Sequence, residues 1–337
     1  MTGKDRVRAA IDRRKTDRPP VSYEATYEVT AAKFNYPFRR EPAPFEMDPA
    51  APINVWYLAN REGSPFNVED WEGFRVPAKM TYSDYVLVQH DRETYLDAVI
   101  DHHEAADTVS GLDPAWVEAV TRIVVPLRFP LHILQMTGLY VAQMAPSAFI
   151  INCSNFQAAD EMRRIQRIAY LTKMLANAHA DDIAETATAR GPWEKDAEWQ
   201  PMRKMLEEML GVYDWGQAFA VLDLVVKPTI DELVNNQLAA LAESNGDEML
   251  VQLLAEFARD SQRSKDWTVA LVQYALASEP ALADTLRAWV AEWTPAADEV
   301  AASWAALLAT APHPLPTRQV VEAASRARSE LLAACGL

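Results

Sequence analysis

The sequence predicts an all-α protein, a large helical bundle preceded by an extended N-terminal arm. Three observations carry this reading. Glycine is scarce, 10 residues in 337, while the strong helix formers Ala, Leu, Met and Glu abound, which favours long helices over sheets with tight hairpins. Apolar residues recur with helical spacing from Tyr82 onward, with no strand-like alternation and no internal repeat. Nine of the 21 prolines fall in residues 1–80, where they force extended or turning backbone.

The arm, residues 1–80, also carries large rings: Tyr23, Tyr27, Phe34, Tyr36, Phe38, Phe45, Trp56, Tyr57, Phe66, Trp71 and Phe74. A disordered tail lacks such rings. The arm is therefore expected to lay its aromatics on a surface, either this chain's own bundle or a partner. The bundle, 81–337, divides into a core of about residues 81–278 and C-terminal helices of about 279–335. Helices are expected over Tyr82–Glu104, Trp116–Met144 and Asn152–Ala178. In the third, Met162, Ile165, Ala169, Thr172 and Ala176 mark one face. Ala218–Val226 (AFAVLDLVV) is apolar almost all round, as a central helix surrounded by others must be. Glu248–Arg263, Trp267–Ala277, Ala281–Trp293, Ala297–Ala309 and Gln319–Cys335 follow. Pro280 and Pro295 are placed near helix starts, where a missing N–H costs least.

A formal charge of −16 argues against nucleic acid and against anionic membranes as partners. It leaves open a basic protein partner or simple solubility. Cys153 and Cys335 form no CxxC pair, which fits a reducing cytoplasm. The N-terminus has no apolar segment that could serve as a secretory signal. The most apolar stretch, Ile123–Ile151, is broken by Pro126, Arg128, Pro130 and His132 and reads as buried in protein rather than in lipid.

A helical bundle of this length invites a test for a carboxylate-bridged metal pair, which requires Glu-x-x-His on two helices so that both side chains reach one site. The residue three before each of His90, His102, His103, His132, His179 and His313 is never a carboxylate. The motif is absent. His102-His103-Glu104 is expected on a solvated helix face, because adjacent helical positions diverge by about 100°. His132 is expected as a hydrogen-bonded core residue. Asp181, Asp182 and Glu185 form a DDxxE run like the Mg²⁺-diphosphate motif of prenyl-transfer enzymes. It lacks an evident second acidic cluster, and a solvated acidic loop before Gly191-Pro192 is the simpler reading. Phosphate loops, nucleophile elbows and HExxH are missing.

Several long segments carry a family resemblance: SYEATYEVTAAKFNYPFRREPAPFEMDP (22–49), INVWYLANREGSPFNVEDWEGFRVP (53–77), TYSDYVLVQHDRETYLDAV (81–99), PLRFPLHILQMTGLYVAQMAPSA (126–148), FQAADEMRRIQRIAYLTK (156–173), YDWGQAFAVLDLVVKPTIDEL (213–233) and SKDWTVALVQYAL (264–276). Together they resemble the β subunit of the hydroxylase of bacterial toluene, phenol, alkene and isoprene monooxygenases, over about residues 20–310. The resemblance implies a ferritin-like, ribonucleotide-reductase-type bundle without iron. It implies an (αβγ)₂ hydroxylase whose di-iron centre lies on the α subunit. A coupling protein, a ferredoxin and an NADH-dependent reductase are implied as further components.

The resemblance also gives meaning to the missing motif. Glu161 is retained where α-type helices carry the Glu of the first pair, and Arg164 stands at the histidine position. Ser261 and Ser264 fall at the second pair, Lys227 at the Glu of the intervening helix, and Met136 near that of the first helix. A guanidinium cannot ligate a cation and repels it. Arg164 and Lys227 are therefore expected to fill the vacated site and pair with Glu161 or Asp223. Tyr23, Tyr27, Tyr36, Phe38, Phe45, Trp56, Tyr57, Trp71 and Phe74 are the expected contacts to the partner subunit. Two other readings stay open: a catalytic di-iron chain in its own right, and a Mg²⁺-dependent prenyl-type enzyme built on Asp181, Asp182 and Glu185.

Overall fold

A computed structural model describes residues 50–337. Helix α1 (Pro52–Tyr57) passes into a π turn (Leu58–Glu62). An irregular segment follows, then α2 (Tyr82–Ala105), α3 (Pro114–Ile123), α4 (Arg128–Met144), α5 (Ala148–Ala178), α6 (Thr186–Lys195) and α7 (Gln200–Met209). A helical rod comes next: α8 (Trp215–Ala220), α9 (Lys227–Asp231) and α10 (Leu238–Ser244), joined by π turns at Val221–Val226 and Glu232–Gln237. Helices α11 (Glu248–Ser278), α12 (Leu282–Leu308) and α13 (Thr317–Cys335) complete the bundle. Among the described residues there is no strand.

At five helix starts among the described residues a side chain satisfies the first free N–H groups. Thr81 and Asp84 form a reciprocal capping box at α2. Asp113, Ser147, Asp214 and Asp247 cap α3, α5, α8 and α11. Asp247 also accepts from Trp116 Nε1 at 3.0 Å, tying α3 to the start of α11. The rod is the centre of the molecule: every residue from Ala218 to Asp231 is buried, as its all-round apolar pattern requires. Helices α4, α11, α12 and α13 pack around it, and α5 is bonded to it through Gln157, Glu161 and Arg164.

Several boundaries differ from the sequence expectation. Trp116–Met144 is two helices, because Pro126 sits in a tight 3₁₀ turn between α3 and α4. The two helices expected over 248–277 are one, and so are those over 281–309. Pro295 lies inside α12, so its missing N–H is tolerated there rather than marking a start. Gly191-Pro192 lies within α6. The described part of the arm is not wholly extended, since Pro52 opens a helix at its first turn.

The arm's aromatics divide. Tyr23, Tyr27, Tyr36, Phe38 and Phe45 lie outside the described residues. Trp71 and Phe74 are buried in this chain's own core, which removes them from any partner surface. Trp71 packs on Phe66 and on Trp215, and Phe74 on Tyr274. Gly216 permits this docking, since a Cβ there would lie 2.3 Å from Phe66 Cβ. By contrast Trp56 is 37% exposed, edge-on to Tyr213, and Tyr57 is half-buried. Helix α1 and its π turn contain no buried residue although Ile53, Val55 and Leu58 are apolar. No helix of the described residues is long and apolar enough to cross a membrane.

Candidate functional site: a ring of buried ions

Three helical elements converge at the middle of the bundle, and each contributes polar side chains one turn apart. Helix α5 supplies Gln157, Glu161 and Arg164. The rod supplies Asp223, Lys227, Asp231 and Asn235, and α11 supplies Ser261, Ser264 and Trp267. All ten are buried. Positions four apart in a regular α-helix drift by about 40° per step. The wider π turns on either side of α9 reduce this drift and hold the rod's four polar residues toward α5 and α11.

Lys227 Nζ donates to Glu161 Oε1 at 2.6 Å and lies 2.8 Å from Asp231 Oδ2. Arg164 Nη1 donates to Glu161 Oε2 at 2.8 Å and to Asp231 Oδ1 at 2.9 Å. The four charges thus form a closed ring in which each cation bridges the same two carboxylates, one oxygen of each. Arg164 Nη2 donates to Asn235 Oδ1 at 2.9 Å, and Asn235 donates to Ser261 Oγ at 2.8 Å. On the other side, Trp267 Nε1 donates to Gln157 Oε1 at 2.9 Å, and Gln157 donates to Asp223 Oδ1 at 2.7 Å.

Electrostatics follow from this arrangement. Burial alone would favour neutral Lys227, but Asp231 and Glu161 outweigh it and raise its pKa. Arg164 is raised in the same way by Glu161 and Asp231 against burial. Burial works against the Asp231 anion too, yet Lys227 and Arg164 hold its pKa below the usual carboxylate value. Asp223 has no cation of its own. Burial pushes its carboxyl up to about 7, against the hydrogen bond from Gln157 and the field of Lys227.

Of the expected site residues, Glu161, Arg164, Lys227 and Ser261 meet in one network, and Ser264 is buried one turn along. Met136 is a correction: it is 37% exposed on α4 and lines no part of the ring. Of the two carboxylates expected to pair with Arg164 and Lys227, Glu161 does so, whereas Asp223 bonds Gln157 and the second carboxylate of the ring is Asp231. Asp231 and Asn235 were legible as polar residues continuing the four-residue spacing of Asp223 and Lys227. The donor set does not fit a pair of transition-metal ions. Both carboxylates are engaged by cations, and no imidazole reaches them. Among the described residues no group of three His, Cys, Asp or Glu side chains could hold a metal ion.

The other flagged positions lie outside this centre. Asp181, Asp182 and Glu185 are exposed around a 3₁₀ turn (Asp181–Ala184), the geometry of a solvated acidic loop. His132 is exposed rather than in the core. His103 is buried and paired with Thr108 Oγ1 at 3.0 Å, while His102 faces solvent.

A second polar network had no forerunner in the sequence reading. It fastens α2 to α5 and α11. Tyr85 OH, Gln89 Nε2 and Arg263 Nη2 donate to Asp160 Oδ1 at 2.8, 2.7 and 2.6 Å. Arg163 joins Asp260 at 2.6 Å and also pairs with Glu93. Burial and the neighbouring Asp260 push the Asp160 carboxyl up to about 7, against Arg263.

Comparison with known proteins places this geometry. The pattern of the methane/phenol/alkene hydroxylase family matches residues 56–279. The β subunit of the hydroxylase component of the toluene-4-monooxygenase system from Ectopseudomonas mendocina is 33% identical over 285 residues, 84% of this chain and 86% of that one. The oxygenase component of phenol 2-monooxygenase from Pseudomonas sp. (strain CF600) is 24% identical over 294 residues, 86% of this chain and 83% of the relative. A solved toluene 4-monooxygenase with toluene in its resting active site contains a chain that superposes with a TM-score of 0.78 at 32% identity, covering 88% of this chain and 99% of that one. Phenol hydroxylase from Pseudomonas sp. OX1 superposes with a TM-score of 0.76 at 23% identity, over 96% of this chain and 92% of that one, and shares the fold. The bundle is ferritin-like. The chain belongs to the methane/phenol/alkene hydroxylase family, as a β subunit of a multicomponent monooxygenase hydroxylase.

Proposed function

We propose that this chain is a non-catalytic, iron-free β subunit, and that its hydroxylase inserts one oxygen atom of O₂ into a small aromatic, alkene or alkane at a di-iron centre on the α subunit. The observation that carries the reading is the ring of Glu161, Arg164, Asp231 and Lys227. Where a dinuclear centre needs free carboxylates and imidazoles, this chain has two carboxylates neutralised by two fixed cations. The relatives named for toluene, phenol and propane support a hydrocarbon or phenol substrate class. The chain works in the cytoplasm within an (αβγ)₂ hydroxylase, served by a coupling protein, a ferredoxin and an NADH-dependent reductase. Trp56 and Tyr57, with the arm residues Tyr23, Tyr27, Tyr36, Phe38 and Phe45, contact the α subunit. The donor chemistry of the ring speaks for this reading over a di-iron catalytic chain. The exposure of Asp181, Asp182 and Glu185 around a short turn supports a solvated acidic loop over a prenyl-type site.

The test is the purified hydroxylase complex with iron located chain by chain, by anomalous scattering at the iron edge. All iron in the companion subunit is the expected result. Two iron ions inside this chain would overturn the proposal.

A further inference from the structure

The ring has the connectivity of a carboxylate-bridged dinuclear metal centre, with an ammonium and a guanidinium nitrogen in place of the two ions. Glu161 gives one oxygen to Lys227 and the other to Arg164, and Asp231 does the same. Both carboxylates are at most 2% exposed. A third carboxyl, Asp223, lies one turn before Lys227 on the rod, with Oδ2 buried and without a hydrogen-bond partner. This chain has therefore kept oxygen donors at the centre of its bundle. What it lacks is room and negative charge, because Lys227 occupies the space between them.

We propose that this subunit refuses metal by occupancy, and that Lys227 alone is the plug. Its ammonium stands at a position that a divalent cation takes once the side chain is removed, with Glu161 Oε1 and Asp231 Oδ2 as ligands. The inference rests on the reading of the native chain as iron-free. Truncating Lys227 leaves two ring carboxylates against the single positive charge of Arg164. A buried unpaired charge of this kind is strongly unfavourable, and a divalent ion supplies the missing positive charge to the two carboxylate oxygens that Lys227 leaves behind. Arg164 cannot move across to cover both lost contacts while it also holds Asn235 and lies over Phe257, 5.7 Å from the ring centre. The plug also gives the assembly selectivity, since metal ions supplied to the complex meet the Glu161–Asp231 pair already neutralised.

The experiment compares Co²⁺ uptake by the native chain, Lys227→Ala, Lys227→Arg and the triple variant Lys227→Ala/Glu161→Gln/Asp231→Asn, each in the hydroxylase complex. Equilibrium dialysis, visible absorption of bound Co²⁺ and thermal unfolding are the readouts. Lys227→Ala is expected to take up one additional Co²⁺ per chain and to gain thermal stability on adding it. The native chain, Lys227→Arg and the triple variant are expected to do neither. Equal uptake by Lys227→Ala and the triple variant would overturn the inference while leaving the iron-free reading intact. Metal at the ring of the native chain would overturn both. If Lys227→Ala does not accumulate folded, refolding with and without Co²⁺ decides: recovery with the ion supports the plug, and failure to recover, with Lys227→Arg folding normally, refutes it.

Discussion

Replacing Arg164 by Leu removes one of the two cations from the ring and leaves three acceptors without their donor: Glu161 Oε2, Asp231 Oδ1 and Asn235 Oδ1. Arg164 is 1% exposed, so water cannot substitute. Breaking a buried pair from one side typically costs about 3–5 kcal/mol, chiefly because the remaining charge is stranded. For a chain of this length the unfolding entropy is roughly 0.7 kcal/mol/K, so the melting temperature of the full chain should fall by about 4–7 °C. The companion variant Arg164→Leu/Asp231→Asn leaves one cation, Lys227, facing one carboxylate, Glu161. It should recover most of the loss, because stranding rather than the missing bond is the main cost. Calorimetric and denaturant unfolding of Arg164→Leu, Asp231→Asn and the double variant measure the coupling. A single variant that loses less than about 1 kcal/mol, the scale of an ordinary exposed pair, would refute the argument. So would a double variant whose loss is the sum of the two single losses.

Other consequences follow from particular contacts. Asp223 is raised from its ordinary 3.8 to about 7, so between about pH 4 and 7 the folded chain holds a proton that the unfolded chain has released. Its contribution to stability is complete below pH 4 and is lost as pH rises toward 7, at up to about 1.4 kcal/mol per pH unit. Asp223→Asn should flatten that slope and stabilise the chain at pH 8, and an unchanged pH profile of unfolding would count against a protonated Asp223. Gly216→Ala should cost about 1–3 kcal/mol through overpacking against Phe66, with faster proteolysis within residues 63–80 as its signature. Trp71→Ala should destabilise by about 3–5 kcal/mol, since Trp71 is core. Trp56→Ala should leave stability within about 1 kcal/mol and instead weaken co-purification with the companion hydroxylase subunit. The reverse pattern would misplace the interface.

Much of the architecture was already written in composition and period. Scarce glycine, helical spacing and the all-round apolar run around Leu222–Val226 require a bundle with a fully buried central rod, because such a run can be satisfied only by neighbours on every side. The absence of Glu-x-x-His was equally plain in the linear order, since that test needs only the spacing of residues on one helix. Tertiary structure alone decided which charges meet. Asp223 and Asp231 both lie four residues from Lys227, and period gives them equal claim. Only the packing of α5 and α11 against the π-widened rod hands Asp231 to the ring and leaves Asp223 with Gln157. The same holds for the arm: Trp56 and Trp71 look alike as aromatics beside prolines, and only the gap left open at Gly216 seats Phe66 and with it draws Trp71 into the core. Local propensity is a property of the chain read in order, whereas the pairing of buried charges and the burial of a ring depend on which distant side chains share one small volume.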